Sequence, residues 1–419
     1  MAFLPIFGER YRAILRHSFF GNLPTGMTWT RSSNAWYFDH TGTIQQSSAN
    51  GARFDYNPLT LAPRGLMLEG SRSNYVRNSV LAGAVVGSPG TFPTNMARNV
   101  GSGITIDVAA VGTEFGMSYI DLRVYGTASG SSGVSLQFET NTGIAAANGQ
   151  YRNISCYVKK VSGSTANIDI IRLNALEKNS GGTTLVTNYG PNIFSSVTSA
   201  IYRAEYTFQC TGGATVAYEK PLLEFAFTNG AVIDLTIRVY QPQEELVNNA
   251  SDCASSPILT SGAAYNRVAE YGAVTGLSWI NQTNGALVIT ALSPNGTTSL
   301  SSTQPIVTLD DGTAANRHLV GRYTNKVAGI TTVSSSTTGN PTLPATWDAN
   351  TVLKQAYSFA LNDFRAAGGG TLSTADTSGA MPTGITRLLL GNSSFNGWLK
   401  EICYYSKKLP DFKLQSLTR

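Results

Sequence analysis

Apolar and polar residues alternate along the middle of the chain, in stretches separated by short turn-rich breaks. The clearest stretch interleaves two sets of residues: Ile233, Leu235, Ile237 and Val239 with Asp234, Thr236, Arg238 and Tyr240. Shorter stretches occupy 120–124, 134–138 and 154–158, and the breaks at 126–133 and 179–182 are rich in Gly and Ser. A period of two is typical of half-buried antiparallel strands, whose side chains point alternately to opposite faces. The pattern predicts a β-sandwich or jelly roll in this region.

The pattern changes twice after this block. Between 241 and 275 the alternation fades and the polar run Glu244, Glu245, Asn248 and Asn249 appears, which favours a linker or a strand-poor crossover. A second β-rich block starts at Leu277, with strands predicted at 286–292, 306–309, 387–390 and 398–405. Residues 406–418 are predicted to form one short closing helix, with Pro410 near its first turn and Leu414 and Leu417 packing back.

The first 75 residues differ from both blocks because aromatic side chains crowd into a segment with few alternations. They are Phe3, Phe7, Tyr11, Phe19, Phe20, Trp29, Trp36 and Tyr37. A segment this short has no large core of its own, so these side chains need another surface to cover them. That surface is either the rest of this chain or another subunit.

Composition supports a folded β-protein and narrows its partners. Of 419 residues, 42% are apolar, enough to fill ordinary cores, and only 13% are charged. The 30 basic and 25 acidic side chains give a net charge of +5 without a basic run, which argues against nucleic acid as a partner. No stretch approaches 18 apolar residues, so we expect synthesis in the cytosol without membrane insertion.

Four cysteines lie far apart in the sequence, at Cys156, Cys210, Cys253 and Cys403. They form no C-x-x-C pair and have no matching histidine spacing, which argues against a zinc or redox site. A disulfide between the first two and free cysteines buried in strands both remain open.

Residues 28–79 contain a long motif: an aromatic before Asp39 and Gly42, then Arg53, Phe54 and Asp55, then Pro63, Arg64, Gly65 and Leu66, then Glu69, Arg72 and Asn74. This segment resembles the opening segment of bacteriophage head-spike, tail-fibre and gene-transfer-particle proteins. The region at 241–275 is similar to the same proteins through Ser255, Ser256, Pro257, Ile258, Gly262 and Arg267. The last block resembles concanavalin A-like, laminin-G-like jelly rolls through Trp279, Asp310, Asp311, Gly312 and the stretch 397–405.

The resemblance and the strand pattern together imply an all-β protein with two jelly rolls and an extended N-terminal segment. Residues 1–75 are expected to anchor or oligomerise the protein, and 76–245 to form a jelly roll like a carbohydrate-binding module. Residues 246–276 are expected to link it to a concanavalin A-like jelly roll at 277–419. The resemblance further implies a virion surface protein that forms a homo-oligomer, such as a trimer, and whose N-terminal segment contacts capsid or tail proteins.

Saccharide recognition needs flat aromatic faces beside amides and carboxylates, which the C-terminal block offers in loop-like stretches. The candidates are Trp347, Asp348, Asn350, Asn392, Asn396 and Trp398. The alternative is that Trp398 and Trp279 belong to the sandwich core. For Trp347, exposure and burial remain equally open.

Asp310 and Asp311 precede Gly312 and are candidate oxygen ligands for calcium, which laminin-G-like domains sometimes carry. The alternative is a plain hairpin turn, because Asp-Gly is itself a turn signal. No other cofactor is expected.

Binding is a better interpretation than catalysis. No G-x-S-x-G elbow sits between a strand and a helix, and the repeats of a β-helical depolymerase are absent from the sequence. The leading hypothesis is non-catalytic attachment of a particle to host surface polysaccharide. A decoration or connector protein without a sugar site is the alternative, and a capsule depolymerase is a third.

Overall fold

A computed structural model describes residues 11–101, 103–130, 133–140, 143–296, 300, 303–323, 326–344, 347–391 and 394–419. The N-terminal strands are β1 (Leu15–Ser18), β2 (Thr28–Thr30), β3 (Ala35–Phe38), β4 (Ile44–Ser47), β5 (Phe54–Tyr56), β6 (Pro63–Glu69) and β7 (Arg72–Asn74). The central strands are β8 (Ala97–Asn99), β9 (Ile104–Glu114), β10 (Met117–Thr127), β11 (Val134–Gln137), β12 (Ile144–Ala145), β13 (Tyr151–Gly163), β14 (Ile168–Lys178), β15 (Thr184–Tyr189), β16 (Tyr202–Gln209), β17 (Tyr218–Phe227) and β18 (Val232–Val247), with a single 3₁₀ turn at Phe194–Ser196 among these residues.

The remaining elements complete the described part of the chain. The strands are β19 (Tyr265–Arg267), β20 (Tyr271–Thr275), β21 (Asn284–Leu292), β22 (Gln304–Asp310), β23 (Arg317–Tyr323), β24 (Lys326–Val333), β25 (Ser336–Gly339), β26 (Thr342–Pro344), β27 (Val352–Ala360), β28 (Asp363–Gly368), β29 (Thr371–Leu372), β30 (Arg387–Leu390) and β31 (Asn396–Tyr405). They are followed by helix α1 (Asp411–Thr418), which begins directly after Pro410 and buries Leu414. The predicted closing helix is therefore present.

The central sandwich packs a five-stranded sheet against a six-stranded one. The first has the order β16-β13-β18-β10-β9, and the second β15-β14-β17-β11-β8 with β12 also on β17. Strand β18 shows why the alternation predicted this fold. Its apolar set, Ile233, Leu235, Ile237 and Val239, is at most 2% exposed and belongs to the core between the sheets.

The C-terminal sandwich has two eight-stranded sheets. One runs β29-β28-β27-β21-β31-β6-β5 with β1 on β31, and the other β2-β20-β30-β22-β23-β24-β25 with β26 on β24. Leu287 and Ile289 of the first sheet share a core with Ile306 and Leu309 of the second. The all-β class with two sandwiches is therefore confirmed.

The predicted N-terminal boundary at 75 differs from the sheet boundaries. Strands β1 and β6 both pair with β31, at 401–404 and 396–399 respectively, and β2 pairs with β20. The described part of the aromatic-rich segment is thus built into the C-terminal sandwich, and Phe19 and Trp29 are buried in its core. The rest of the chain therefore covers Phe19 and Trp29, whereas Phe20 is 53% exposed. Phe3 and Phe7 lie outside the described residues.

The predicted linker also differs from the observed elements. Strand β18 continues to Val247, and Glu244 and Glu245 in it are fully buried, although the polar run had favoured a linker. Strand β20 at Tyr271–Thr275 belongs to the second C-terminal sheet. Polar side chains buried in a strand next to ionic partners cannot be told from a solvated linker by hydropathy alone.

Two further expectations concern a disulfide bond and membrane insertion. All four cysteines are free, and three of them, Cys156, Cys210 and Cys403, are buried. The disulfide alternative is therefore wrong for this structure, and burial raises the pKa of Cys156 to about 12. Within the described ranges, no helix has the length and apolar content needed to cross a bilayer.

Candidate functional site

A cleft of about 290 Å³ lies where the two sandwiches and the N-terminal segment meet. Four separate parts of the chain line it: Tyr37, Asp55, Asn57, Arg64 and Glu69; Tyr157, Tyr202, Arg203 and Glu205; Cys253, Ala254 and Ser256; and Pro294, Asn350, Asn396 and Trp398. Three of the predicted saccharide-binding residues, Asn350, Asn396 and Trp398, are therefore brought together here. The volume is close to the lower end of the range found for ligand pockets.

An arginine–glutamate network beneath the cleft holds these parts together. It consists of Arg31, Arg53, Arg267, Glu69 and Glu270, all at most 3% exposed. Arg53 donates to both Glu69 (2.6 Å) and Glu270 (2.5 and 2.9 Å), and Arg31 donates to Glu270 (2.5 Å). Arg267 forms an ion pair with Glu69 at 3.2 Å. Arg53 and Glu69, both in the motif at 28–79, thus connect strands from different regions of the chain.

Mutual pairing keeps these buried groups charged. Burial alone raises the pKa of Glu69, but Arg267 and Arg53 outweigh burial and hold it at about 2. Burial lowers the pKa of Arg53, yet Glu270 and Glu69 raise it above its ordinary value. Ser256 stabilises the charged form of Glu69, because the Ser256 backbone N–H and hydroxyl donate to the Glu69 carboxylate at 2.7 and 2.6 Å.

Trp398, Asp55 and Arg64 form one wall of the cleft. Trp398 is 8% exposed, and its indole Nε1 donates to Asp55 Oδ2 at 3.0 Å. The Arg64 guanidinium lies 4.7 Å from the centre of the Trp398 ring and donates to the same Asp55 oxygen at 3.2 Å. Most of Trp398 is therefore buried, as in the core alternative, and only a small part of its surface lines the cleft. Burial raises the pKa of Asp55, and Arg64 partly offsets this.

Gly65 allows the strand that carries Arg64 to lie against β31. Its φ of +112° is in the region that favours glycine, and a Cβ there would lie 2.6 Å from the carbonyl oxygen of Leu399. The close approach places Arg64 beside Trp398.

The opposite wall comes from the central sandwich. Tyr157 is 5% exposed at the base, whereas Tyr202 is 36% exposed at the rim. Arg203 follows Tyr202 on β16 and is the cross-strand partner of Tyr157. Its guanidinium lies 5.3 Å from the Tyr157 ring, and its Nη2 donates to Ser155 Oγ at 3.3 Å. Glu205 is exposed and accepts a hydrogen bond from the backbone N–H of Ala254 at 3.0 Å.

Asn350 and Asn396 lie at the rim, held by backbone contacts that leave their amides available. The backbone N–H of Asn350 donates to the Ser293 carbonyl at 2.8 Å, in a left-handed conformation with φ +59° that asparagine tolerates. The Ser293 hydroxyl donates to the Asn396 carbonyl at 2.7 Å. Ser293 therefore sets the spacing between the two asparagines. Asp348 is exposed on the same turn but is not part of the cleft lining.

The structure corrects the interpretation of Trp347 as a sugar platform. Its side chain is 2% exposed, and its indole Nε1 donates to the Thr351 carbonyl at 2.9 Å. The ring packs in the C-terminal core, with the Arg322 guanidinium 5.6 Å from its centre. A buried ring has no free face for a pyranose. Asn392, the remaining saccharide candidate, lies outside the described residues.

The predicted calcium ligands are engaged inside a turn. Asp310 forms a two-point ion pair with Arg387 at 2.6 and 2.9 Å. Asp311 accepts hydrogen bonds from Thr313 and Asn316. This arrangement is the plain-turn alternative, and the described residues include no group of three or more His, Cys, Asp or Glu side chains placed to hold a metal.

The cleft combines exposed aromatic edges, amides and guanidinium groups, which suits recognition of hydroxyl-rich rings. Sequence reasoning missed Tyr37, Tyr157, Tyr202 and Arg203. The aromatic density around Tyr37 and the motif residue Arg64 were signals for one wall. The other wall had none, because its residues lie in an ordinary strand pattern.

No protein-family model matches the chain, and no curated protein matches it. Among solved structures, it is similar to the CBM22-1 xylan-binding domain of Paenibacillus barcinonensis Xyn10C, with 18% identity over 42% of this chain and 94% of that one, and a TM-score of 0.26. The tandem CBM22-1-CBM22-2 domain of the same protein is 11% identical over 78% and 99%, also at 0.26. Trypanosoma rangeli sialidase is 9% identical over 75% and 62%, at 0.26. At these scores the likeness says nothing about the site, and the fold class follows from the sheets themselves.

Proposed function

We propose that this protein binds a host surface saccharide in the cleft without cleaving it, as a surface spike or fibre of a bacteriophage or gene-transfer particle. The observation that carries the binding proposal is the meeting of Tyr37, Tyr202, Asn350 and Asn396 around one cavity. Tyrosine rings supply apolar faces, and the amides supply donors and acceptors for hydroxyls. The motif at 28–79 supports the placement on a particle.

A shallow site of this size favours weak binding for each subunit. A homo-oligomer, such as a trimer, presents several copies and converts weak single contacts into useful avidity. The N-terminal segment is the part that we propose contacts the capsid or tail. Attachment rather than connection is the favoured role because the cleft combines apolar and aromatic surface with amides that can bond hydroxyls.

The carboxyl groups in the cleft support binding over hydrolysis. A glycosidase needs one carboxyl as acid and a second as base or nucleophile across the scissile bond. Asp55 already accepts from Trp398, Arg64 and the Phe38 backbone, and Glu69 is paired with two arginines. Asp55 and Glu69 are therefore held by arginine partners, whereas the exposed Glu205 accepts only from the Ala254 backbone N–H among the described residues.

The test is binding of the purified protein to host cells, to stripped cells and to the stripped polysaccharide, with released reducing ends monitored. Tyr202→Ala removes an exposed ring from the rim and is expected to weaken binding roughly 2- to 10-fold, the value of one aromatic contact. Tyr189→Ala is the matched control, since Tyr189 is 55% exposed on the same sandwich but does not line the cleft.

Three outcomes separate the candidate functions. Loss of binding after stripping, with weakening in Tyr202→Ala alone, supports the proposal. Absence of binding at any avidity would favour a decoration or connector protein. Release of oligosaccharide would make the protein a depolymerase.

A further inference from the structure

Arg53 in the buried network and the two arginines that line the cleft differ in how many of their N–H donors form hydrogen bonds. Arg53, in the buried network, donates five hydrogen bonds of 2.5–2.9 Å, through Nε and both terminal nitrogens. Arg64 and Arg203 in the cleft each donate one, at 3.2 and 3.3 Å, among the described residues. A guanidinium carries five N–H donors. Most N–H groups of the two cleft arginines therefore have no hydrogen-bond acceptor among the described residues.

Arg203 has a donor that lacks a protein partner in a place where water is scarce. Its Nε is buried and has no hydrogen-bond acceptor within the described part of the chain. An unsatisfied buried donor costs free energy unless a ligand or an ordered water supplies an acceptor. The nitrogen therefore marks a position where an acceptor atom is needed.

The two guanidinium groups belong to different walls of the same cleft. Arg64 and Arg203 both line it. Arg64 lies on β6, and Arg203 lies on β16 of the central sandwich. Each guanidinium also lies over an aromatic ring, Tyr157 or Trp398, which holds its plane in place.

The acidic groups nearby neutralise this charge only in part. Asp55 and Glu69 are at most 3% exposed and already paired, and burial raises the pKa of Asp55. Glu205 is the exposed carboxylate of the lining. The groups that a ligand meets are thus two guanidinium ions and one carboxylate.

We propose that the ligand of the cleft is an anionic saccharide, whose carboxylate or phosphate group is bound between Arg64 and Arg203. Planar guanidinium groups match both anions through paired N–H donors, and such bonds are stronger than neutral ones. This inference rests on the proposed saccharide-binding function and specifies the class of sugar.

The experiment uses an array of acidic oligosaccharides, each paired with its carboxyl-reduced neutral form, with phosphorylated oligosaccharides as a third arm. The intact protein is expected to bind acidic members at least about tenfold more tightly than their neutral forms, the effect of one charge-assisted hydrogen bond. The phosphorylated arm distinguishes the two anion sources, and binding of either class supports the proposal.

Three variants locate the anion. Arg203→Gln is expected to abolish the preference for acidic members, while Arg203→Lys keeps part of it because the charge remains without the fork. Glu205→Gln is expected to tighten acidic binding, since it removes a like charge, a gain that a merely structural role would not produce. Arg123→Gln makes the same change in net charge outside the cleft and is the control. Thermal unfolding confirms that each variant is folded.

Equal binding to the acidic and neutral forms, unchanged in Arg203→Gln, would overturn the anionic class and leave saccharide binding intact. Absence of binding to every member would overturn both proposals. Binding to acidic members that is unaffected by Arg203→Gln and by Arg64→Gln would overturn the assignment of the anion to this cleft.

Discussion

Two clusters of buried carboxyl groups in this protein avoid an unpaired buried charge in opposite ways. In the arginine–glutamate network, Glu69 and Glu270 each contact buried arginines. In the central sandwich, Glu219 on β17 and Glu244 on β18 form a glutamate pair, fully buried between the two sheets. Arg152 donates to Glu244 at 3.0 Å, whereas neither oxygen of Glu219 has a donor among the described residues.

The difference fixes the charge of each cluster. Burial raises the pKa of Glu219 well above its ordinary value, and the neighbouring Glu244 raises it further. A protonated Glu219 can donate to Glu244, which explains how two carboxyl groups share one dry site with a single arginine. The pKa of Glu69 in the network is therefore lowered and that of Glu219 in the pair is raised, so the pair binds a proton more readily than the network does. Burial alone does not decide whether a carboxyl group is charged, because the number of adjacent arginines does.

The largest expected effect comes from removing the arginine at the centre of the network. Arg53→Met leaves Glu69 and Glu270 buried with one fewer cation, and is expected to lower the free energy of unfolding by about 3–5 kcal/mol. Denaturant unfolding followed by tryptophan fluorescence measures this. A loss below about 1 kcal/mol would contradict the view that the charges at this junction depend on each other.

The free energy of unfolding is also expected to change in a defined direction as the pH falls. The pKa of Glu69 is about 2 in the folded protein, below its unfolded value near 4.3. Its contribution to stability is present above pH of about 4.3 and is lost as the pH falls toward 2. In Arg53→Met the pKa of Glu69 rises, so the residual acid-dependent loss is expected to be smaller.

Glu219→Gln tests the other cluster and has the opposite pH dependence. Because the folded pKa of Glu219 is raised, the wild type loses stability as the pH rises above about 4.3, where only the unfolded chain ionises. Glutamine keeps a donor for Glu244 and cannot ionise. The variant is expected to match the wild type near pH 4 and to be more stable by about 1–3 kcal/mol near pH 8.

Glu139→Gln is the matched control for that measurement. Glu139 is also buried in the central domain, but it accepts three hydrogen bonds from Arg77, at 2.6, 2.9 and 2.6 Å. Loss of its charge is expected to destabilise the protein at neutral pH. If both variants change stability in the same direction at pH 8, the distinction between the paired and the protonated carboxyl groups fails.

The sandwich architecture was predictable because it depends on local periodicity. Strands β21, β22, β30 and β31 lie within two residues of their predicted bounds, since each side chain's face follows from its position in an alternating run. The closing helix was predictable from Pro410 and the leucines after it. These signals are carried by neighbouring residues.

The site was predictable only in part because it depends on contacts between distant residues. Asn350, Asn396 and Trp398 were found by residue type. The burial of Trp347 stayed open because Arg322, which lies over its ring, and the core that it joins are distant in sequence. The pairing of β1 with β31 joins residues 385 positions apart, as from Arg16 to Glu401. A local pattern carries no information on such a pairing.

The smallest expected effect concerns an ion pair with good geometry and no burial. Arg123 Nε and Nη2 each donate to Asp234 at 2.9 Å, a two-point pair like those in the network, but the side chains are 47% and 57% exposed. Water and salt screen such a pair, and ordering the two side chains offsets most of the attraction. Arg123→Gln is expected to leave the unfolding midpoint unchanged within error, in both low and high salt. A loss approaching that of Arg53→Met would mean that bond geometry, rather than burial beside a second carboxylate, sets the strength of the network.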